Sequence, residues 1–427
     1  MLDLFFSIFL AVTIIVCFIR LKWGIAMFLM YSILVPYLSF FSYSFNLFSG
    51  LIIIALLKNY KITSLIYKPL SPFLFLYIAQ LFIIPFHDDV PYAMQLDMFR
   101  SDFMRTIILP FVMMNIMFKN TSAISLFSKV LVITIIIAVC YSLFLTTTGG
   151  LNPYLMSILP LNGGEFNSRY AAAEDGGRLF GRISGVFNHP MTNGIFLCLS
   201  FLFVFFNISY KKISKHKFLI LLLLITFIAV FIIGVRTAIV ALFVGFFIFL
   251  LLEKKFKITL IGFFSIAILL LILYQIPGTD VYVSSILDPQ SSDVSGSSLD
   301  MRYEQLAGCF HEIRNNPVFG KGLGWTYYYS STKGLHPTML AFESLLIVVL
   351  CNNGFIGLII WFLAIYFYVK LINNSFSKTP RNIMIALFMT YIAYSLVTGD
   401  YGYMKYLLIF YVIVWAKEKE NLHKINH

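Results

Sequence analysis

The feature that most constrains the fold is a succession of apolar stretches, most of them long enough to cross a lipid bilayer. Inside a membrane every backbone amide and carbonyl needs an internal partner, so such stretches fold as helices. The predicted fold is an all-α polytopic membrane protein with about 12–13 transmembrane helices. We predict these helices near residues 2–19, 23–41, 46–57, 69–86, 104–118, 130–146, 191–207, 218–234, 237–252, 258–275, 354–370, 382–398 and 404–416.

The composition predicts one membrane domain over residues 1–427. Sixty per cent of the residues are hydrophobic and 12% are charged, which is typical of polytopic membrane proteins and not of soluble domains. The first apolar run carries Asp3 where a signal peptide has basic residues, so we interpret it as a retained helix. We predict a short outer loop at 87–105 and two larger extracytoplasmic loops, at 147–190 and 275–338, that contain short helices.

The charged residues divide by type between the two sides of the membrane. Eighteen of the 21 lysines fall on the side that the positive-inside rule assigns to the cytoplasm, and eight of the ten arginines fall on the other side. A guanidinium can hold phosphate through two parallel hydrogen bonds, so outer arginines indicate a phosphate or pyrophosphate site. Pairing with outer carboxylates is the alternative. The net charge of +12 comes largely from lysines at helix ends, which suit lipid headgroups and do not indicate nucleic acid binding.

The strongest group of candidate residues lies in the third outer loop and its flanks. A helix that carries Arg302 is predicted there, with Phe310 on its apolar face, followed by the turn GKGLG. Pro337 predicts that His336 lies at a helix start, where it acts as a general base or only caps the helix. Glu343 follows about two turns later, is predicted at membrane depth, and orients the histidine or pairs with an arginine.

A second group of candidate residues precedes two apolar runs. Arg236 lies at the outer end of two such runs, and its partner is a lipid phosphate or a substrate pyrophosphate. The segment DGGRLFGRISGVFNHPMTNG places Arg178, Arg182 and His189 just ahead of a helix. Its glycines either let backbone amides approach an anion or are ordinary loop residues. No paired-cysteine or HExxH motif indicates a metal.

Two further features of the outer loops have ordinary interpretations. The aromatic segment GWTYYYS can stack on sugar rings, but a membrane-interface anchor is the favoured interpretation. The outer acidic residues, Asp89 among them, are dispersed, and most of them are interpreted as solvated surface.

These pieces, in this order, resemble the bacterial O-antigen polymerase and O-antigen ligase family, with its Wzy-like polysaccharide polymerases. The similar strings are RISGVFNHPMTNG, GVRTAIVAL, MRYEQLAGCFHEIRNNPVFGKGLGW and LHPTMLAFESLLIVVLCNNGFIGL, which cover roughly residues 178–370. The resemblance implies a GT-C-like glycosyltransferase that needs neither metal nor cofactor. It also implies a multi-pass protein of the bacterial cytoplasmic (inner) membrane, with its active site on the periplasmic face.

The resemblance also assigns roles to residues of this chain. Arg236 and Arg302 match arginines that hold the donor's pyrophosphate, and His336 matches a histidine that helps to activate the acceptor hydroxyl. The implied partners are an undecaprenyl-pyrophosphate-linked glycan donor and acceptor, together with membrane lipids; a chain-length regulator is left open. Further candidates for substrate binding are Arg178, Arg182, His189, Arg314, Lys321 and Glu343.

Four functions remain to be weighed. The first is polymerisation of lipid-linked repeat units into O-antigen or capsular polysaccharide, and the second is ligation of finished glycan to a lipid A core. The third is a flippase or exporter for the same lipid-linked oligosaccharide, and the fourth is a structural scaffold. Most predicted helices are plain apolar runs and the unusual charge lies outside them, which favours an enzyme over a transporter.

Overall fold

The computed structural model describes residues 2–35, 42–87, 89–148, 151–158, 181–209, 217–254, 275, 299–400 and 402–425. These residues are mostly helical and contain no β-strand, which confirms the predicted all-α class. The predicted helix near 258–275 and the side chain of Arg178 lie outside the described residues. The described helices are α1 (Leu2–Ile19), α2 (Leu21–Leu34), α3 (Ser42–Asn59), α4 (Ser71–Ile83), α5 (Tyr92–Thr106), α6 (Ile108–Lys119), α7 (Thr121–Thr147), α8 (Pro153–Ile158), α9 (Pro190–Ser209), α10 (Lys217–Ile232), α11 (Arg236–Leu252), α12 (Leu299–Ile313), α13 (Trp325–Lys333), α14 (Leu345–Asn373), α15 (Lys378–Thr398) and α16 (Met404–Ile425).

Six stretches of the described chain are long and apolar enough to cross a membrane. A further five apolar helices are shorter, at 10–17 residues. The polytopic membrane character is therefore confirmed, whereas the number of 12–13 spanning helices stays a prediction. The six stretches are Lys68–Phe86, Tyr92–Lys119, Thr121–Thr147, Pro190–Ile208, Leu345–Asn373 and Lys378–Thr398.

Helices α11 and α15 pack antiparallel and fix which residues share an end of the bundle. Glu253, just after α11, lies with its Oε2 3.9 Å from Nζ of Lys378 at the start of α15. Gly245 on α11 allows this packing, because a Cβ there would overlap the side chain of Thr390. Arg236 begins α11, so it lies at the opposite end, beside the end of α15.

A break in α14 receives the turn that follows α12. The backbone of Gly354 leaves the helical region, with φ 60°, and so opens hydrogen-bonding groups in the helix. The amide of Lys321 donates to the carbonyl of Cys351 at 2.8 Å, and the amide of Phe355 donates to the carbonyl of Pro317 at 2.9 Å. Unpaired backbone groups are costly in apolar surroundings. The GKGLG turn supplies hydrogen-bond partners to the break in α14, and the same hydrogen bonds hold the turn in place.

The predicted outer loop at 87–105 is wrong over most of its length. Residues Tyr92–Thr106 form α5, which continues almost directly into α6. The charged residues of this segment have local partners: Arg100 pairs with Asp97 one turn away, and Asp102 accepts a hydrogen bond from the hydroxyl of Tyr77 at 2.7 Å. Because these side chains are paired, the segment can be helical despite its polarity.

The predicted helix that carries Arg302 is confirmed as α12, and Ile313 of its predicted apolar face is buried, but Phe310 of that face is not. Cys309 and Ile313 are buried, whereas Phe310 is 45% exposed and stacks on Phe355, with ring centroids 6.3 Å apart. The helix is thus rotated relative to the predicted apolar stripe. The cause is its packing on α14, where Sγ of Cys309 lies 3.4 Å from Sγ of Cys351.

Candidate active site

Three helices meet at one end of the bundle, around a glycine near the start of α9. A Cβ at Gly194 would lie 2.7 Å from the hydroxyl of Tyr394 on α15 and 3.2 Å from Cβ of Ala238 on α11. The close approach is possible only because the residue is glycine. Since His189 immediately precedes α9 and Arg236 begins α11, this contact brings both residues to the end of α15.

Arg182 joins the same end of the bundle through the backbone. The amide of Ile183 donates to the carbonyl of Ile233 at 3.1 Å, which ties the end of the second loop to the turn before α11. Arg182 and Arg236 therefore lie on adjacent segments.

His189 caps α9. Its Nδ1 accepts a hydrogen bond from the amide of Met191 at 3.1 Å, and its carbonyl accepts one from the amide of Thr192 at 3.1 Å. Pro190 takes the first helical position, where a missing N–H costs nothing. Burial, and secondarily the charge of Arg182, lowers the pKa of His189 to about 4. His189 is therefore neutral at pH 7 and supplies a hydrogen-bond acceptor, not a positive charge.

Acidification is expected to destabilise the protein through His189. The pKa of about 4 in the folded state lies below the ordinary value of 6.5, so between these pH values the unfolded chain binds more protons. The contribution to stability is complete above about pH 6.5 and is lost as the pH falls toward 4. It amounts to at most roughly 3 kcal/mol, at about 1.4 kcal/mol per pKa unit.

Thermal unfolding in detergent at a series of pH values tests this expectation. The control is His189→Asn, which retains a side-chain acceptor for the helix cap but does not titrate. The Tm of the wild type should fall more steeply than that of the variant below about pH 6.5. Parallel curves for the two proteins would contradict the assignment.

Arg302 connects α12 with the segment before α14. Its guanidinium donates to the backbone carbonyl of Glu343, lies 3.5 Å from Oε2 of the same residue, and donates to Oε1 of Gln305 at 3.2 Å. Glu343 lies two residues before α14 and its side chain is 42% exposed, and its membrane depth stays a prediction. Pairing with an arginine, the alternative considered for Glu343, is what the structure contains.

The segment before α14 also contacts the end of α15. The hydroxyl of Ser344 donates to the carbonyl of Leu396 at 2.8 Å. Leu396 lies two residues beyond Tyr394, which contacts Gly194 of α9. The segment that pairs with Arg302 therefore packs at the same end of α15 as the segments that carry Arg182 and Arg236.

His336 lies in a tight turn, so the predicted helix start at Pro337 is wrong. The amide of His336 donates to the carbonyl of Leu340 at 3.1 Å, and the amide of Leu340 donates back at 3.0 Å. Leu340 and Phe342 have φ values of 49° and 54°, left-handed conformations that a right-handed helix does not contain. The same histidine–proline pair does begin a helix at α9.

Both ring nitrogens of His336 have neighbours. Nδ1 accepts hydrogen bonds from the amides of Thr338 at 3.2 Å and Met339 at 3.1 Å. An amide can only donate, so the neutral ring carries its proton on Nε2. Nε2 lies 3.5 Å from Oε1 of Glu312, and the histidine side chain is only 6% exposed. His336 thus presents an N–H to a carboxylate.

A cavity of about 230 Å³ adjoins this pair. Nζ of Lys321 lies 3.9 Å from Oε2 of Glu312 and 3.5 Å from Oδ1 of Asp89. Asp89, interpreted from the sequence as solvated surface, therefore faces a lysine at the site. The walls include Asp89, Glu312, Lys321, Trp325, Tyr328 and Tyr329.

Residues 220–362 match the family model described as O-antigen ligase. The predicted resemblance is confirmed. No curated protein matches the chain. With its spanning helices, the chain is a multi-pass membrane protein related to O-antigen enzymes. The matched stretch contains Arg236, Arg302 and His336, whereas Arg182 and His189 precede it.

The remaining candidates divide between the cavity and the surface. Lys321 lies in the cavity wall, and Arg314 is exposed just beyond α12. Glu312, which lies within the O-antigen ligase match, was not predicted as a site residue. No regular spacing connects it with His336, because their contact arises from tertiary packing. A Cβ at Gly308 would overlap the hydroxyl of Thr338, so glycine there lets the His336 turn lie against α12.

Proposed function

We propose that the chain polymerises undecaprenyl-pyrophosphate-linked oligosaccharide repeats into O-antigen or capsular polysaccharide at the outer face of the cytoplasmic membrane. The observation that carries this proposal is that the segments carrying Arg182, Arg236 and the Arg302–Glu343 pair all pack at the same end of α15. A polyprenyl tail can stay in the bilayer at such a place while its pyrophosphate reaches the loops.

The chemistry of the reaction suits fixed arginines. Breaking the bond between a sugar and pyrophosphate develops negative charge on the leaving group, which preorganised donors stabilise without reorganisation. The 3.5 Å contact of Arg302 with the carboxylate of Glu343 is longer than the 2.7–2.9 Å of a strong charge-assisted bond, so in this proposal a pyrophosphate competes with that carboxylate for the guanidinium. In this proposal the transfer proceeds without metal.

O-antigen ligase is the second candidate function, because the matching family model carries that description. A ligase would use the same arginines for the same leaving group and differ only in its acceptor. Where a polymerase transfers the growing glycan to a single lipid-linked repeat, a ligase transfers the finished glycan to a lipid A core.

Purified wild-type protein in detergent, with a metal chelator, is expected to elongate lipid-linked repeats extracted from cells that lack this chain. Products that lengthen by single repeats on the carrier support polymerisation. Transfer to added lipid A core, with no elongation, would replace the proposal with ligation. Absence of any glycan transfer would favour a flippase or a scaffold, because detergent solution has no compartments to transport between.

Cells provide a second test of the same proposal. His336→Ala should leave single repeats on the carrier, whereas long chains stranded on the carrier would point to a ligase. The matched control is His311→Ala, because His311 is exposed on α12. Cells with the His311→Ala variant should produce glycan of the same length and amount as cells with the wild type.

A further inference from the structure

We propose that Glu312 is the group that accepts the proton of the acceptor sugar's hydroxyl, and that His336 is a positioning residue that orients this carboxylate. The inference deepens the proposed glycosyl transfer and rests on it. It reverses the expectation drawn from the sequence, in which the histidine itself was the candidate base.

The ring of His336 has no lone pair to offer. A general base needs an unshared electron pair directed at the hydroxyl. The lone pair on Nδ1 accepts hydrogen bonds from the amides of Thr338 and Met339, at 3.2 and 3.1 Å, and Nε2 carries the proton. The ring is also enclosed, with its centroid 4.8 Å from that of Tyr329 and 5.7 Å from that of Phe342. It therefore directs an N–H at Glu312 and is only 6% exposed.

Glu312 has the electron pairs and the access that His336 lacks. An ionised carboxylate has two oxygens and about four acceptor positions, and it donates nothing. Oε1 lies 3.5 Å from Nε2 of His336, Oε2 lies 3.9 Å from Nζ of Lys321, and the side chain is 27% exposed in the cavity wall. The N–H of His336 and the ammonium group of Lys321 thus hold the carboxylate in place. Its remaining acceptor positions are available to the cavity.

The cavity suits a single sugar ring. Its volume of about 230 Å³ is below the range of about 300–1,000 Å³ that is typical of sites for drug-sized ligands. Trp325, Tyr328 and Tyr329 supply aromatic surface for the C–H face of a sugar, and the carboxylates and lysine supply partners for its hydroxyls. The ligand class that follows is a sugar with a free hydroxyl, at the nonreducing end of the acceptor.

The proposed step balances without a further reactant. The oxygen of the acceptor hydroxyl forms a bond to the anomeric carbon of the donor sugar, and its proton moves to a carboxylate oxygen of Glu312. The bond from the anomeric carbon to the pyrophosphate oxygen breaks, and its electron pair leaves with the pyrophosphate. Glu312 then releases the proton to solvent.

The test uses the metal-free elongation assay with the full chain. Glu312→Gln keeps the shape of the side chain and its acceptor for Nε2–H, but it is not a base, so kcat should fall by about 10²–10⁴-fold. The matched control is Glu304→Gln, the same change at an exposed position of α12, which should retain wild-type activity. In Glu312→Ala, added formate should restore part of the lost rate by supplying a carboxylate in the vacated space.

His336 is tested by a conservative variant. His336→Gln can still direct an N–H at Glu312, so it should retain far more activity than His336→Ala.

The outcomes separate this inference from the proposed function. The inference alone would be overturned if the wild type elongates the glycan, Glu312→Gln has a rate within tenfold of the wild type, and His336→Gln is inactive. Formate that fails to restore Glu312→Ala, when that variant is folded, would count equally against it. A wild type that transfers no glycan would overturn the proposed function itself.

Discussion

Replacing Arg302 with alanine is expected to lower the rate of glycan elongation by about 100-fold or more, the usual cost of losing one preorganised donor to a developing anion. The side chain is only 23% exposed and lies at the end of the bundle where Arg182 and Arg236 also lie. Arg302→Lys should lose most of this rate as well, because lysine keeps the charge but not the planar fork. The measurement is elongation of lipid-linked repeats by the purified variants.

The control for this prediction is Arg100→Lys. Arg100 is 54% exposed and pairs with Asp97 one turn away on α5. Its replacement should leave the rate within about twofold, since exposed ion pairs contribute roughly 0–1 kcal/mol.

A structural role for Arg302 gives a different pattern. If the arginine served only to hold Glu343, Glu343→Gln would lose as much activity as Arg302→Ala, and both would lower the Tm in proportion. Loss of rate with an unchanged Tm in Arg302→Lys is the result that we expect.

Gly320→Ala is expected to destabilise the protein by roughly 2–5 kcal/mol. Gly320 has φ 81°, where a side chain costs about 1–2 kcal/mol. A Cβ would also lie 2.6 Å from the amide nitrogen of Gly354 and 2.8 Å from the carbonyl oxygen of Cys351, an overpacking that typically costs about 1–3 kcal/mol. Both neighbours are backbone atoms of α14 and cannot rotate away. The Tm in detergent measures the effect.

Gly334→Ala is the matched control for this substitution. Gly334 has nearly the same φ, 82°, but nothing lies within 4 Å of the Cβ position. The control therefore isolates the conformational cost from the clash. Equal losses of Tm in the two variants would show that the contact with α14 contributes nothing to stability.

Helices made of long apolar runs could be predicted from the sequence, and α9, α11 and α15 lie close to their predicted positions. In these segments the lipid requirement alone determines the structure. The segment that became α5 could not be predicted in this way, because its helicity depends on partners such as Tyr77 from another helix. The buried face of α12 likewise depends on α14.

Residues of the candidate site could be predicted from the sequence only where the residue type by itself indicates a chemical role. Arg236 and Arg302 were identified because an outer guanidinium needs an anion, and the family resemblance gave them roles. Glu312 was missed, because one acid on an amphipathic helix looks like many others until His336 is placed against it. Left-handed backbone conformations at Leu340 and Phe342 create that placement. They could not be predicted from the sequence, because glycine is the residue that usually indicates this conformation.

The insertion of the GKGLG turn into the break of α14 has a mechanical consequence. Lys321 is bonded through its backbone to α14, while Arg236 lies on α11 and Arg182 on the segment before α9. A long helix accommodates bilayer thickness by changing its tilt. Any such tilt would carry the cavity wall with it, so the distance between the proposed acceptor site and these arginines becomes sensitive to the surrounding lipids.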